Sequence, residues 1–188
     1  MMQDLREACN KYTLAFCVFL LIPLGAVGAE ETEPFKVENQ WFTFQLQIRT
    51  REQLVAFYEG RGFGPKALQE IAGHCFVTVF VRNTGNQVVW LELKHWRLYT
   101  EFDPIARTER DQWRQIWQRS GTPLAHQATF GWTLLPEQRD LLPNETVGGN
   151  ITLPAMDQPF TLEAEFYLGA DRKAGHTKVK VENVQCKL

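Results

Sequence analysis

Serine is nearly missing from this chain. Ser120 is the only one, and it stands beside Gly121 at the end of a helical stretch instead of in a strand-to-helix elbow, so no serine nucleophile is on offer. Cysteine is sparse too: the four present include no Cys-x-x-Cys pair, which removes the dithiol redox and zinc motifs built on that spacing. Beyond position 2 the sole methionine is Met156, a poor supply for soft copper ligation. Basic residues do not exceed acidic ones, 20 against 22, so nothing draws the chain toward nucleic acid or anionic lipid. Internal repeats are absent. The most apolar run, 13–23, is shorter than the roughly 20 residues of a membrane helix and is broken by Pro23.

That run has another use. Arg6 and Lys11 precede it, and Gly25-Ala26-Val27-Gly28-Ala29 follows it with small residues at the last and third-last positions. Charge, apolar core and small residues in this order predict a secretory signal peptide over 1–29, cleaved after Ala29; a retained anchor is the alternative. Cys17 lies inside the apolar core, so lipoprotein processing is not expected. Residues 30–40 read as a flexible lead-in and 41–188 as one domain. The expected location is periplasmic or extracellular, with no membrane span after cleavage. Cys9 and Cys17 would leave with the signal, and Cys75 and Cys186 would then form one disulfide. Closing a loop of roughly 110 residues would stabilise the fold by about 4–5 kcal/mol in the chain-entropy description.

Apolar alternation organises the remainder. In 74–83 Cys75, Val77, Val79 and Val81 share one face, and Phe76, Thr78 and Phe80 share the other, as in a strand covered on both sides. Asn83-Thr84-Gly85-Asn86 supplies turn residues, and 88–99 resumes an alternating pattern, so 74–99 reads as a β-hairpin. Residues 41–48 and 160–168 alternate as half-buried strands, with further strands at 129–135, 145–153 and 177–184; Gly148-Gly149 marks a bulge or turn. Thr50 and Gln53 have capping-box spacing ahead of a short helix ending at Gly60. A second helix runs from Pro65 to Gly73, and a third, capped by Thr108, covers 109–119. The glycine-rich 60–65 stretch between the first two lacks the strand before it and the Lys-Ser/Thr pair after it that a phosphate loop needs. About seven strands with about three short helices in their connections predict a mainly β fold, an antiparallel two-sheet β-sandwich of loosely immunoglobulin-like form.

No catalytic or cofactor-binding set is legible, and no cofactor is implied. The reading favoured is an exported, non-catalytic binding or assembly module of the cell envelope with a protein partner. Trp113 and Trp117 on the third helix, with Tyr58, Phe63 and Phe102, are the candidate partner surface. An exported copper or zinc protein is the alternative, its candidate ligands being His74, His95, His126 and His176, although none of these pairs has i, i+2 or i, i+4 spacing. A hydrolase using two carboxylates close in space stands third. Asn144 and Asn150 each open an Asn-x-Thr sequon, read as lying on a surface turn.

Overall fold

The structure is a computed structural model in which residues 33–187 are described; the expected signal peptide over 1–29 lies outside them. The fold is mainly β, with two antiparallel sheets and four helices among the described residues. The first sheet has the order β1 (Phe35–Glu38), β2 (Phe42–Ile48), β3 (His74–Asn83) and β7 (Thr146–Pro154). In the second, β8 (Phe160–Leu168) is central. It pairs with β9 (His176–Val184) on one side and with β4 (Val89–Glu92) and β5 (Arg97–Tyr99) on the other, and β6 (Gln138–Leu141) adds to β4. β1 falls within the stretch expected to be a flexible lead-in.

Period-two alternation builds the core between the sheets. Phe42, Phe44 and Leu46 of β2, Val77, Val79 and Val81 of β3, and Phe160, Leu162, Ala164, Phe166 and Leu168 of β8 all point into one buried cluster. Phe42 and Phe166 meet across it with ring centroids 4.5 Å apart. Cys75 and Cys186 are joined by a disulfide between Cα atoms 5.6 Å apart, which ties β3 to the end of the chain.

The expected hairpin does not form. β3 pairs with β2 and β7, and β4 pairs with β6 and β8, so residues 84–88 carry the chain from one sheet to the other. Asn83 holds this crossing: its fully buried amide donates to the carbonyls of Gln87 (2.7 Å) and Leu141 (2.8 Å) and accepts from the Gly85 amide (3.0 Å). The expected strand 88–99 is also broken, by a 3₁₀ turn at Leu93–His95. That turn changes the phase: Val89 and Leu91 before it and Leu93 at its start point inward, then Trp96 and Leu98 after it.

A second core lies on the outer face of the first sheet. Helices α1 (Arg51–Glu59), α2 (Pro65–Ala72), α3 (Arg110–Ser120) and α4 (Leu124–Thr133) bury Leu54, Tyr58, Phe63, Ile71, Trp113, Ile116, Trp117 and Phe130 against Phe76 of β3. The Thr50–Gln53 capping box of α1 and Pro65 at the start of α2 are as the spacing predicts. α3 begins one residue later than expected, because Glu109, not Thr108, forms the capping box with Gln112.

α4 corrects the expected strand at 129–135 and raises the helix count from about three to four. Its aromatic and β-branched residues favour a strand locally. Tertiary contacts decide otherwise: Phe130 and Leu134, four apart, both enter the second core, and Arg110 of α3 donates to the carbonyls of Gly131 (2.9 Å), Leu134 (3.3 Å) and Leu135 (3.4 Å), satisfying the helix end. The immunoglobulin-like expectation is not confirmed. β1, β2 and β3 form a meander within one sheet, whereas the third strand of an immunoglobulin domain crosses to the other.

Candidate functional site

The helices cover only part of the first sheet's outer face. Phe76 is fully buried, yet Phe80, four residues along the same face of β3, is 44% exposed. Where the cover stops, α1, the end of α4 and strands β3 and β7 enclose an open groove of about 680 Å³.

Its floor is a chain of hydrogen bonds. Arg49 Nε donates to Thr78 Oγ1 (3.1 Å), Thr78 donates to Asn150 Oδ1 (2.7 Å), and Asn150 Nδ2 donates to the Thr133 carbonyl (3.0 Å). The Thr133 hydroxyl gives its one proton to the Phe130 carbonyl (2.7 Å), so the 2.7 Å contact with Tyr58 Oη is one in which the tyrosine donates. Burial pushes the Tyr58 hydroxyl up to about 12, and it stays protonated. Four segments distant in sequence are thus locked together under the groove. The walls are aromatic: Phe57 (41% exposed), Phe80 and Trp132 (84% exposed). No Asp, Glu, His or Cys lines the groove, and Arg49 is its one charged lining residue.

Gly148 and Gly149 are part of this construction, but not as the expected bulge or turn. β7 pairs with β3 in unbroken register through both. A Cβ on Gly148 would lie 2.3 Å from the Phe80 ring, and one on Gly149 would lie 2.5 Å from Leu135 N, so the absent side chains make room for the Phe80 ring and for the chain leaving α4.

The partner surface expected from the sequence is largely interior. Tyr58, Phe63, Trp113 and Trp117 are each under 5% exposed. The two tryptophan rings stack 4.8 Å apart, and Phe130 lies 4.5 Å and 4.9 Å from them. Packing against the sheet, which the stripe at i, i+4 also permits, has won. Phe102, 82% exposed, lies in a separate depression formed by residues 96–105.

The four histidines are divided between layers. His74 Nδ1 contacts the Glu70 carbonyl (2.8 Å) and its ring lies 4.4 Å from Trp113, while His126 packs 4.9 Å from Phe63. His95 and His176 flank Tyr167 at 5.0 Å and 6.3 Å on the second sheet. Among the described residues no group of three or more His, Cys, Asp or Glu is placed to hold a metal. The sequons differ as well. Asn144 is exposed at positive φ, as in a turn, whereas Asn150 lies within β7 with its amide engaged on both sides.

Sequence reasoning missed Arg49, Phe57, Thr78, Trp132 and the role of Asn150. One signal was present: the outward face of β3 is apolar at Phe76 and Phe80 and so requires a cover, but which segments supply it is not encoded locally.

Neither a known family model nor a curated protein matches this chain. Among solved structures, a crystal structure of a candidate lipoprotein, YcdA, from Bacillus subtilis is similar with a TM-score of 0.39 and 11% identity, over 79% of this chain and 38% of that one. The chain thus spans little more than a third of that protein's length. No helix among the described residues is long and apolar enough to cross a membrane.

Proposed function

We propose that this chain is an exported, non-catalytic binding module on a β-sandwich scaffold, and that the groove beside α1 and α4 is its binding site. The observation that carries the reading is the floor from Arg49 to Thr133, polar and already fixed, beneath three exposed aromatic rings. Pockets that are mostly apolar with a few oriented polar groups are the usual form of a ligand site. The absence of a lining carboxylate, imidazole or thiol supports binding over acid–base or nucleophilic catalysis. Export is supported by the Cys75–Cys186 disulfide, a bond that persists in oxidising compartments, together with the signal-like pattern over 1–29.

A photo-crosslinking residue placed at Trp132, and as a control at Phe102, in cells that make the full chain tests the site. Irradiation should give a discrete mass adduct from position 132 that is missing from position 102. Equal labelling at the two positions, or none at 132, would overturn the assignment of the groove. Fractionation of the same cells tests export, which fails if the chain is recovered in the cytoplasm with both thiols reduced.

A further inference from the structure

The groove also narrows the chemistry of its occupant. We infer that it binds an apolar body bearing one carboxylate, a small aliphatic or aromatic acid; this deepens the binding-module reading and rests on it.

Arg49 is the starting point. It is the one charged residue lining the groove, no acidic side chain lines it, and no ion pair to Arg49 occurs among the described residues. Its Nε is committed to Thr78, which Asn150 fixes in turn, so the guanidinium is oriented before any ligand arrives. A planar fork held in this way matches a carboxylate, and charge-assisted bonds of that kind are about twice as strong as neutral ones. A partly buried cation with no ion-paired acid among the described residues is the charge complement of a ligand with a single negative charge.

The walls require the remainder of the ligand to be apolar. Phe57, Phe80, Trp132 and Leu54 line the same groove as the fork, and a volume of about 680 Å³ lies in the range that small ligands fill. An extended peptide fits less well. The groove lies on the face of the first sheet, where the backbones of β3 and β7 are already paired with each other. Along the outer edge of β7, the Asn150 carbonyl is taken by Leu135 N at 2.9 Å and the Thr152 carbonyl by Thr108 N at 2.7 Å. The side chains of the floor are bonded to one another. A peptide laid here would bring amides with no partners, whereas an apolar acid brings none.

Sodium decanoate below its micelle concentration, compared with 1-decanol, isolates the charge. In an NMR titration of the purified full chain, decanoate should shift the amides of Thr78, Gly148, Gly149 and Asn150 saturably and bind about tenfold more tightly than decanol, the factor expected of one charge-assisted contact. Arg49→Gln should remove that advantage and leave decanol within about twofold, Arg49→Lys should fall between, and Trp132→Ala should weaken both probes. The wild-type comparison of the two probes needs no variant, so misfolding of a mutant does not shield the inference. Equal affinities with shifts still in the groove would sink the carboxylate and leave the binding site standing. Decanoate shifts confined to residues outside the groove, or none at all, would overturn the inference, while the site itself is judged separately by the adduct at position 132.

Discussion

The two sheets share an inner face but finish their outer faces in opposite ways. The first sheet's outer face is roofed by four helices and holds an aromatic core, with Phe76 of β3 packed among Tyr58, Trp113 and Phe130. The second sheet's outer face is dressed with ion pairs. Glu163 meets Arg97 at 2.7 Å and Lys178 at 3.4 Å, and Glu92 is ringed by Lys94, His95 and Arg172. The difference shows where a groove can form. A roofed face has an edge where the roof stops, and at that edge apolar side chains meant for burial lie beside polar groups that fasten the roof. A face built for water, with Glu92 and Glu163 already paired, has no such edge.

β3 itself offers the sharpest way to break this comparison. Phe76 and Phe80 occupy the same strand and the same face, one beneath the helices and one beyond them. Phe76→Ala should cost about 3–5 kcal/mol, the usual loss for a buried phenyl ring, and Phe80→Ala should stay within about 1 kcal/mol. Urea unfolding of both variants checks this. Similar losses would mean that the roof extends over Phe80 in solution and that the groove is closed. Because Cys75, Val77 and Val79 on the other face of β3 belong to the inter-sheet core, Phe76→Ala should also lower a single transition instead of melting the helices alone.

The same contrast explains what the sequence made legible. β8 was readable residue by residue, because strict alternation from Phe160 to Leu168 reports one dry face and one wet face. The α1 capping box and the Cys75–Cys186 pairing were readable because each depends on few alternatives. The roof was not. Phe130 and Trp132 carry strand-like propensity, and only Arg110, some twenty residues earlier, and the aromatic partners from α1 and α3 make helix the better state. Likewise nothing local distinguishes a turn that reverses within a sheet from one that crosses between sheets; at 84–88 the choice is made by Asn83 reaching Leu141. Of the groove, the sequence supplied the apolar outward face of β3 and the paired glycines, but not Arg49 or Asn150, whose meaning comes from the contact between Thr78 and Asn150.

The fastening of the roof can be tested one bond at a time. Buried Trp113 Nε1 donates to Thr152 Oγ1 (2.8 Å), which donates in turn to the Thr108 carbonyl (3.0 Å). Thr152→Val keeps the shape and removes both bonds, leaving an indole N–H and a carbonyl without those partners. A loss of about 1–3 kcal/mol is expected, less than for Phe76→Ala because no cavity opens. A neutral result in denaturant titration would show that the helices are held by apolar contact alone.

The smallest effect belongs to the wet face and separates it from the roofed one through pH. Glu92 is buried, and burial pushes its carboxyl up, but Lys94 and Arg172 outweigh that cost and hold it below the usual carboxylate range. Arg172 also lies over the Trp90 ring at 4.1 Å, so the turn between β8 and β9 is anchored to the sheet by the same side chain. A carboxyl whose folded pKa lies below its unfolded value, about 4.3 for glutamate, contributes its full stabilisation above that value and loses it as pH falls through the folded pKa. Wild type should therefore lose stability more steeply than Glu92→Gln as pH is lowered from about 5 to 3, and should be the more stable of the two at neutral pH. Parallel slopes in denaturant titrations across that interval would mean that Lys94 and Arg172 do no more for Glu92 than solvent would. The outer face of the second sheet would then be tolerant of charge without being held together by it.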